Sequence, residues 1–288
     1  MRGTPYPWPD GKTCAFCFTI DVDAESVYLW LNRDSGSDHL EHMEQRLFGP
    51  RTGIWRLLAL LKQFDIRATM FVPGVVAERH PELLPAFVAE GHEIALHGYN
   101  HELPQDTPRD EFVAALDASI AIFRDQTGIT PHGFRAPGAQ LTRGMAVELA
   151  ARGLYDSSLS GADHPYSLDN LTEIPFQWLL DDAVQLKFTG SADKWLPGSP
   201  QSVLDSWTTE WRQIRHYNGL LTLTLHDWIS GRASNISIVE SFLRMVTSDS
   251  DVWIATAFDL ANHHRRYGRD FAFDIEIAEP IQRAGTAK

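Results

Sequence analysis

The chain has few cysteines, and this limits the kinds of site and scaffold it can form. Only Cys14 and Cys17 occur in 288 residues. Two thiols three positions apart on a strand face opposite sides of that strand. This pattern excludes a disulfide-rich scaffold and a four-cysteine zinc site, and it favours two buried, reduced thiols.

Long apolar segments and an excess of positive charge are also missing. No window approaches the roughly 20 apolar residues of a membrane span, and the first twelve residues lack the apolar core of a signal peptide. The 38 acidic residues outnumber the 25 basic ones, which gives a formal net charge of -13. We therefore expect a cytoplasmic protein with no nucleic-acid or membrane partner and with a neutral or cationic substrate.

The apolar content is high enough for one large core. Hydrophobic residues make up 43% of the chain and aromatic residues 11%, and α/β chains of this length are commonly one domain. We predict a single catalytic domain over residues 1–288, with a core of about 14–260, a loop insertion at 24–50 and a C-terminal tail at 269–288.

Strand-like and helix-like segments alternate along the chain. Predicted strands lie at 13–20, 66–72, 92–97, 132–136, 155–159, 173–177, 220–226 and 252–256. Predicted helices lie at 53–64, 75–91, 107–128, 142–153, 203–217, 236–246 and 257–268. The helix at 107–128 has Thr107 as its predicted N-cap and Gly128 at its C-terminal end. Such β-then-α units favour a parallel sheet, open or closed into a barrel, with the chemistry at the carboxyl ends of the strands.

Reactive side chains follow four of these predicted strands. Asp21 and Asp23 end the first strand, His97 the third, Arg135 the fourth and His226 the seventh. Residues two apart on a strand point the same way, so the two aspartates lie side by side and repel each other unless they share a positive charge. The polar residues are concentrated at a few strand ends, which indicates a site there.

His97 and His101 have a spacing that lets two imidazoles reach one ion. They start at a strand end and continue into a loop bracketed by Gly98 and Pro104. Two imidazoles and one carboxylate leave a tetrahedral divalent ion an open position for water, as catalytic zinc sites do. The alternative is a pair of solvated histidines. We predict a divalent metal ion as the charge that the aspartates share; zinc suits this set, but cobalt, nickel, manganese or iron also fits it.

The remaining polar residues have more than one interpretation from their positions alone. One aspartate binds the ion in this scheme, and the other acts as general base towards the water. His226, as an imidazolium, protonates a leaving nitrogen, or it is simply a hydrogen-bonded histidine at a strand end. Arg135 holds the base carboxylate in a bidentate pair, or it forms a surface ion pair.

Four segments, taken in order, resemble the polysaccharide deacetylase family with its NodB-homology domain, also called carbohydrate esterase family 4. They are FTIDVD (18–23), HGYNH (97–101), FRAPG (134–138) and LTLH (223–226). The resemblance covers residues 14 to 260. It implies a distorted (β/α) barrel of about seven parallel strands. It also implies metal-dependent hydrolysis of an amide or acetyl group.

The family pattern assigns a role to each matched residue. The metal ligands that it implies are Asp23, His97 and His101. The general base that it implies is Asp21, oriented by Arg135, and the acid is His226. Val22 separates the two aspartates here, whereas better-known members have adjacent aspartates followed by glycine. The division of base and ligand roles between Asp21 and Asp23 therefore stays open.

One branch of the family is similar to this chain in further segments, DVDAES, HGYNHE and WLLDD. That branch consists of cytosolic members that include peptidoglycan-deacetylase-like proteins, cyclic imide hydrolases and allantoinase-like enzymes. The resemblance to it implies action on small cyclic amides or ureides. We predict Trp30, Pro137 and Asp182 as substrate-binding residues. The insertion at 24–50 is either a specificity or subunit-contact element or a solvated loop. If it forms a subunit contact, the chain is a homo-oligomer.

Three functional classes follow from these observations. The favoured class is a metal-dependent hydrolase of carbon–nitrogen bonds other than peptide bonds, acting on a small cyclic amide, imide or ureide. The second is an N-deacetylase of peptidoglycan or a chitin-like oligosaccharide. The third is a folded but inactive binding protein, which would need a lost ligand or base, although every matched position is filled here.

Overall fold

A computed structural model describes residues 5–36, 38–190 and 196–275 of the chain. Most of the predicted C-terminal tail, from residue 276 onward, lies outside these residues. Within them no helix is both long and apolar enough to cross a lipid bilayer.

Ten strands alternate with helices in the described residues. The strands are Cys14–Asp21 (β1), Thr69–Val72 (β2), Glu93–Leu96 (β3), Gly133–Phe134 (β4), Tyr155–Asp156 (β5), Tyr166–Leu168 (β6), Leu171–Glu173 (β7), Leu220–His226 (β8), Val252–Ile254 (β9) and Ala272–Phe273 (β10). The α-helices are Ser26–Leu31 (α1), Leu40–Phe48 (α2), Ile54–Gln63 (α3), Gly74–Arg79 (α4), Leu83–Ala89 (α5), Arg109–Thr127 (α6), Arg143–Ala151 (α7), Asp182–Gln185 (α8), Pro200–His216 (α9), Asp227–Ser230 (α10), Ala233–Thr247 (α11) and Ala257–Tyr267 (α12). One π-helical turn, Gly49–Gly53, joins α2 to α3.

The strands form one curled sheet in the order β10-β6-β7-β5-β4-β3-β2-β1-β8. Every neighbouring pair in this sheet is parallel except β6 and β7, which are antiparallel. The sheet curls into a half-barrel, which confirms the predicted α/β class and the distorted barrel. Parallel neighbours bring their carboxyl ends to one edge, where the predicted site residues lie.

Strand β1 is the centre of this arrangement because it pairs with three strands. It runs beside β8 from Ala15–Leu220 to Asp21–His226, meets β2 near its end and meets β9 near its start. All eight of its residues are buried, as expected for a parallel strand covered on both faces. Cys14 and Cys17 belong to apolar clusters on opposite faces of β1, and both thiols are free, so the prediction of buried, reduced cysteines is confirmed.

Several predicted element boundaries were wrong, each for a local reason. The segment 75–91 forms two helices, α4 and α5, because the residue before Pro81 avoids helical backbone angles. Helix α6 begins after Pro108 rather than Thr107, whose hydroxyl instead donates to the Leu103 carbonyl. Gly128 ends α6 with φ 74°, as predicted.

Two further segments differ from their predictions. Strand β7 ends at Glu173, where the predicted strand at 173–177 was to begin; Gln177 instead uses its side-chain amide to bond the backbone of β8. The insertion at 24–50 contains helices α1 and α2 rather than an irregular loop.

Candidate active site

The predicted catalytic and metal-binding residues meet in one cavity at the carboxyl edge of the sheet. Its volume is about 330 Å³. The predicted residues that line it are Asp21, Asp23, His97, His101, Arg135 and His226. They come from the ends of β1, β3, β4 and β8 and from the loops that follow, so the topology joins what the sequence separates by up to 205 residues.

Three of these residues form a set of ligands suited to a divalent cation. Asp23, His97 and His101 are buried, and one ligand atom from each lies within 4.8 Å of the other two. Asp23 Oδ1 is 3.4 Å from His97 Nε2 and 3.6 Å from His101 Nε2. This buried oxygen has no hydrogen-bond partner among the described residues. A buried carboxylate oxygen facing two imidazoles, with no proton donor of its own, fits a metal ion.

The surroundings keep these ligands in the form that binds a metal. His97 Nδ1 lies 2.8 Å from the Arg135 carbonyl oxygen, which assigns the proton to Nδ1 and leaves Nε2 free to bind. Burial lowers the pKa of His101 to about 4, so its imidazole is neutral. Burial acts to raise the pKa of Asp23, but the nearby histidines, including His97 and His226, lower it below its ordinary value, so this residue is a carboxylate.

The loop that carries the histidines is held in an unusual conformation. Gly98 and His101 have φ of 72° and 61°, and positive φ is uncommon for a residue other than glycine. The Glu102 carboxylate accepts hydrogen bonds from the backbone N–H groups of Tyr99 and Asn100. Glu102 therefore stabilises the loop that places His101 beside Asp23.

Asp21 is fixed by a buried arginine. Arg135 Nη1 donates to Asp21 Oδ1 at 2.7 Å, and its Nε and Nη2 donate to the backbone and side-chain oxygens of Ser157. Arg135 is 1% exposed, so a surface ion pair is excluded. The predicted bidentate pair between Arg135 and the base carboxylate was wrong, because a single nitrogen of Arg135 contacts Asp21.

His226 is held by a buried carboxylate. Its Nδ1 lies 2.6 Å from Asp182 Oδ1, and Asp182 Oδ2 accepts from the His226 backbone N–H and the Ser230 hydroxyl. Burial lowers the pKa of His226, but the charge and hydrogen bond of Asp182 together with the charges of Asp181 and Asp23 outweigh it, so the pKa lies well above its ordinary value. His226 Nε2 is 3.6 Å from Asp23 Oδ2 and so faces the ligand set.

Asp181, Asp182 and His226 form a second group of close ligand atoms. Because both oxygens of Asp182 already accept hydrogen bonds, this group fits a metal less well than the first one. The adjacent Asp181 lines the cavity, and burial raises its pKa to about 6.

Comparisons with known proteins agree with this geometry. The sequence model described as polysaccharide deacetylase matches residues 48–155. A crystal structure from Mycobacterium smegmatis, whose name assigns it to the polysaccharide deacetylases, is 35% identical and superimposes with a TM-score of 0.90, covering 97% of this chain and 99% of the other. The chain belongs to the polysaccharide deacetylase family. It is thus a metal-dependent hydrolase of carbon–nitrogen amide bonds.

Two further relatives extend the comparison. A peptidoglycan deacetylase from Helicobacter pylori is 27% identical over 283 residues, which cover 87% of this chain and 96% of that protein. An allantoinase structure superimposes with a TM-score of 0.81 over 92% of this chain and 95% of that one. At 23% identity, the allantoinase shares the fold and supports nothing further.

The three predicted substrate-binding residues do not lie where they were expected. Asp182 is fully buried behind His226, where it positions the imidazole rather than substrate. The Trp30 ring is stacked against Arg33, 4.0 Å from the centre of its guanidinium, and lies outside the cavity lining, whereas Leu31 is part of it. Pro137 is buried and is also absent from that lining.

Other residues that line the cavity were not predicted. They are Val27, Leu31, Arg46, Gly138, Ala139, Phe176, Trp178, Asp181, Ala183, Lys187, Thr189 and Trp228. Trp228 follows His226 by two positions in LHDW, and this proximity could have identified it. Nothing in the sequence distinguishes Arg46 from other helical arginines, because only the folding of α2 over the site brings it there.

Proposed function

We propose that this chain hydrolyses the amide bond of a small cyclic amide, imide or ureide. The observation that carries this proposal is the shape of the cavity. Helices α1 and α2 contribute Val27, Leu31 and Arg46 to its wall, and the aromatic Phe176 and Trp178 also line it. A walled cavity of about 330 Å³ suits a small ring better than a polymer, which needs an open groove.

Asp23, His97 and His101 would hold the metal ion, and zinc suits two imidazoles and one carboxylate. A divalent ion supplies Lewis-acid polarisation of the scissile carbonyl and lowers the pKa of water. The hydrogen bond between His97 and the Arg135 carbonyl keeps the ligand nitrogen directed at the centre.

Asp21 is placed to act as general base. Its Oδ1 is held by Arg135, and Oδ2 faces the ligand set, 3.9 Å from His97 Nε2. In this role Asp21 removes a proton from the attacking water as the water oxygen bonds to the carbonyl carbon. The buried guanidinium fixes the carboxylate in the direction of attack, which lowers the entropy cost of reaching that geometry.

His226 is placed to act as general acid. Breaking the carbon–nitrogen bond leaves a ring nitrogen that needs a proton, and the imidazolium supplies it from Nε2. Asp182 stabilises this protonated form through Nδ1. Acid and base thus come from the paired strands β1 and β8, whose last residues, Asp21 and His226, are in register.

A second candidate function is N-deacetylation of a saccharide. The Helicobacter pylori relative named peptidoglycan deacetylase supports it because the likeness extends over nearly the whole of both chains. Trp178 also supports it, since its indole lines the cavity while 49% exposed, and a partly exposed aromatic face can stack on a sugar ring.

The test is to assay the metal-loaded chain on succinimide, hydantoin and allantoin beside acetylated chitooligosaccharides. We expect ring opening of at least one cyclic compound, and a rate about 10²- to 10⁴-fold lower with Asp21→Asn. Turnover of the oligosaccharides alone would reject the ring hydrolase and establish the deacetylase.

A further inference from the structure

The wall of the cavity that does not bind the metal contains an unused hydrogen-bond donor. Trp228 is 7% exposed, and its Nε1 has no hydrogen-bond partner among the described residues. The residue lines the cavity that contains Asp21 and His226. Buried indole N–H groups ordinarily find an acceptor. Because Trp228 lines a catalytic cavity, a bound ligand is a group that can supply the acceptor that this buried donor lacks.

Arg46 adds a positive charge to the same wall. It is 8% exposed and lines the cavity. The centre of its guanidinium lies 5.0 Å from the Trp228 ring and 5.4 Å from the Tyr28 ring, and Nη1 donates to the His42 carbonyl. Aromatic faces and a backbone acceptor hold the guanidinium in one place, which prepares it to bind a planar anion.

Lys187 brings a second cation to this wall. It is exposed and lines the cavity, and no carboxylate of the described residues forms an ion pair with it. Lys187 and Trp228 also line an adjoining cavity of about 380 Å³. The groups that Arg46, Lys187 and Trp228 present are all hydrogen-bond donors, and two of them are charged.

The cavity lining therefore carries two kinds of chemistry. Asp21 and His226 serve water and an amide, whereas Arg46, Lys187 and Trp228 add donors and positive charge in a chain whose net charge is -13. We propose that Arg46, Lys187 and Trp228 form a subsite for a carboxylate, so that the preferred substrate is a cyclic amide or ureide bearing a carboxylate away from the scissile bond. This inference rests on the proposed function and names its substrate class, and it differs from the neutral or cationic substrate that the net charge of the chain predicts.

The first test uses two rings that differ by one group, dihydrouracil and its carboxylate-bearing analogue dihydroorotate. We expect kcat/KM of the wild type to favour the carboxylate ring by about tenfold to a hundredfold, as charged hydrogen bonds do. Arg46→Gln should bring the ratio of the two values close to one. Arg33→Gln is the matched control, because Arg33 also stacks on a tryptophan but lies outside the cavity lining; it should leave the ratio unchanged.

A binding measurement separates failure of the subsite from failure of the proposed function. Metal-loaded Asp21→Asn should bind dihydroorotate more tightly than dihydrouracil by calorimetry, and adding Arg46→Gln should remove the difference. That result supports the subsite even where the wild type hydrolyses neither ring. Equal affinity for the two rings, or no binding of dihydroorotate, overturns the subsite even where both rings are hydrolysed.

Two further variants guard against effects on folding. Trp228→Phe keeps the ring under Arg46 but removes the N–H, and we expect it to weaken dihydroorotate binding about two- to tenfold. Lys187→Gln changes an exposed residue and should weaken the same ligand without altering the melting temperature. Unchanged dihydroorotate affinity in both variants contradicts the proposed composition of the subsite.

Discussion

The two ends of the sheet bury acidic residues in contrasting ways. At the carboxyl end, Asp23 Oδ1 faces two histidines without a hydrogen-bond donor. At the amino end, Glu93 accepts hydrogen bonds from the Tyr155 hydroxyl, the Thr69 hydroxyl and the Phe258 backbone N–H. Both oxygens of Glu93 therefore have partners supplied by the protein itself.

The difference separates a binding site from a structural contact. Burial raises the pKa of Glu93 to about 7, which favours the neutral form in a fully bonded setting. The pKa of Asp23 is lowered instead, since histidines surround it. An acid that stays charged and lacks a partner costs stability, and such a cost is typical of residues kept for function.

The largest expected contrast comes from removing one buried histidine at each end. His97→Ala should lose the bound ion, about one per chain, and with it the amidase activity, because two ligands hold a divalent cation poorly. His92→Ala, at the amino end, removes only an acceptor of the Ala68 N–H and should keep the ion while lowering stability. Metal analysis of both variants is the measurement; undiminished metal in His97→Ala would reject the ligand assignment.

The next contrast lies within the carboxyl end and separates base from ligand. Asp21→Asn should keep the metal and reduce kcat by about 10²- to 10⁴-fold, since the amide cannot accept the proton. Asp23→Asn should lose much of both metal and activity. Loss of the metal from Asp21→Asn alone would show that the two roles are exchanged.

A smaller effect is expected from the carboxylate behind His226. Asp182→Asn should lower kcat roughly 10- to 100-fold while KM and the metal content change little, because the variant weakens the orientation of the acid rather than binding. Ser230→Ala serves as the control, since it removes only one donor to Asp182. A rise in KM with unchanged kcat would instead return Asp182 to substrate binding.

The smallest effect concerns the amino end and appears in the pH dependence of stability. Glu93 keeps its proton up to about pH 7 when folded, whereas the unfolded chain releases it near the ordinary value of 4.5. Unfolding thus becomes easier as pH rises from 4.5 to 7, and this contribution is constant above that range. Glu93→Gln should flatten the fall of melting temperature over the interval. If the melting temperature of wild type and variant fell equally between pH 4.5 and 7, the raised pKa of Glu93 would be contradicted.

The sequence predicts the carboxyl end well because its signals are local. The spacing of His97 and His101, and the position of Asp21, Arg135 and His226 at strand ends, follow from periodicity and from the rule that parallel sheets place function at one edge. The whole of β8 was predicted with the bounds that the structure shows. Patterns of this kind can be read from the sequence because they depend only on where each strand ends, not on which distant segments pack against it.

The supporting role of Asp182 and the presence of Arg46 at the site were missed because their contacts are long-range. Asp182 meets His226 across 44 residues, and Arg46 reaches the cavity only when α2 folds over it. Trp30 and Leu31 are adjacent in sequence, yet Leu31 lines the cavity and Trp30 does not. One residue along a helix changes direction by about 100°, so choosing the right neighbour requires the helix phase relative to the site.

The pairing of β1 with β8 has a consequence for how the chain acquires its structure. Thr19 and Thr224 touch although 205 residues separate them, and pairings of such high sequence separation form late and slowly. At a synthesis rate of about 5–20 residues per second, the apolar β1 waits roughly 10–40 s for its partner to emerge. During that interval the edge of β1 that pairs with β8 is exposed, which makes the nascent chain a client for chaperones and its truncated forms prone to aggregation.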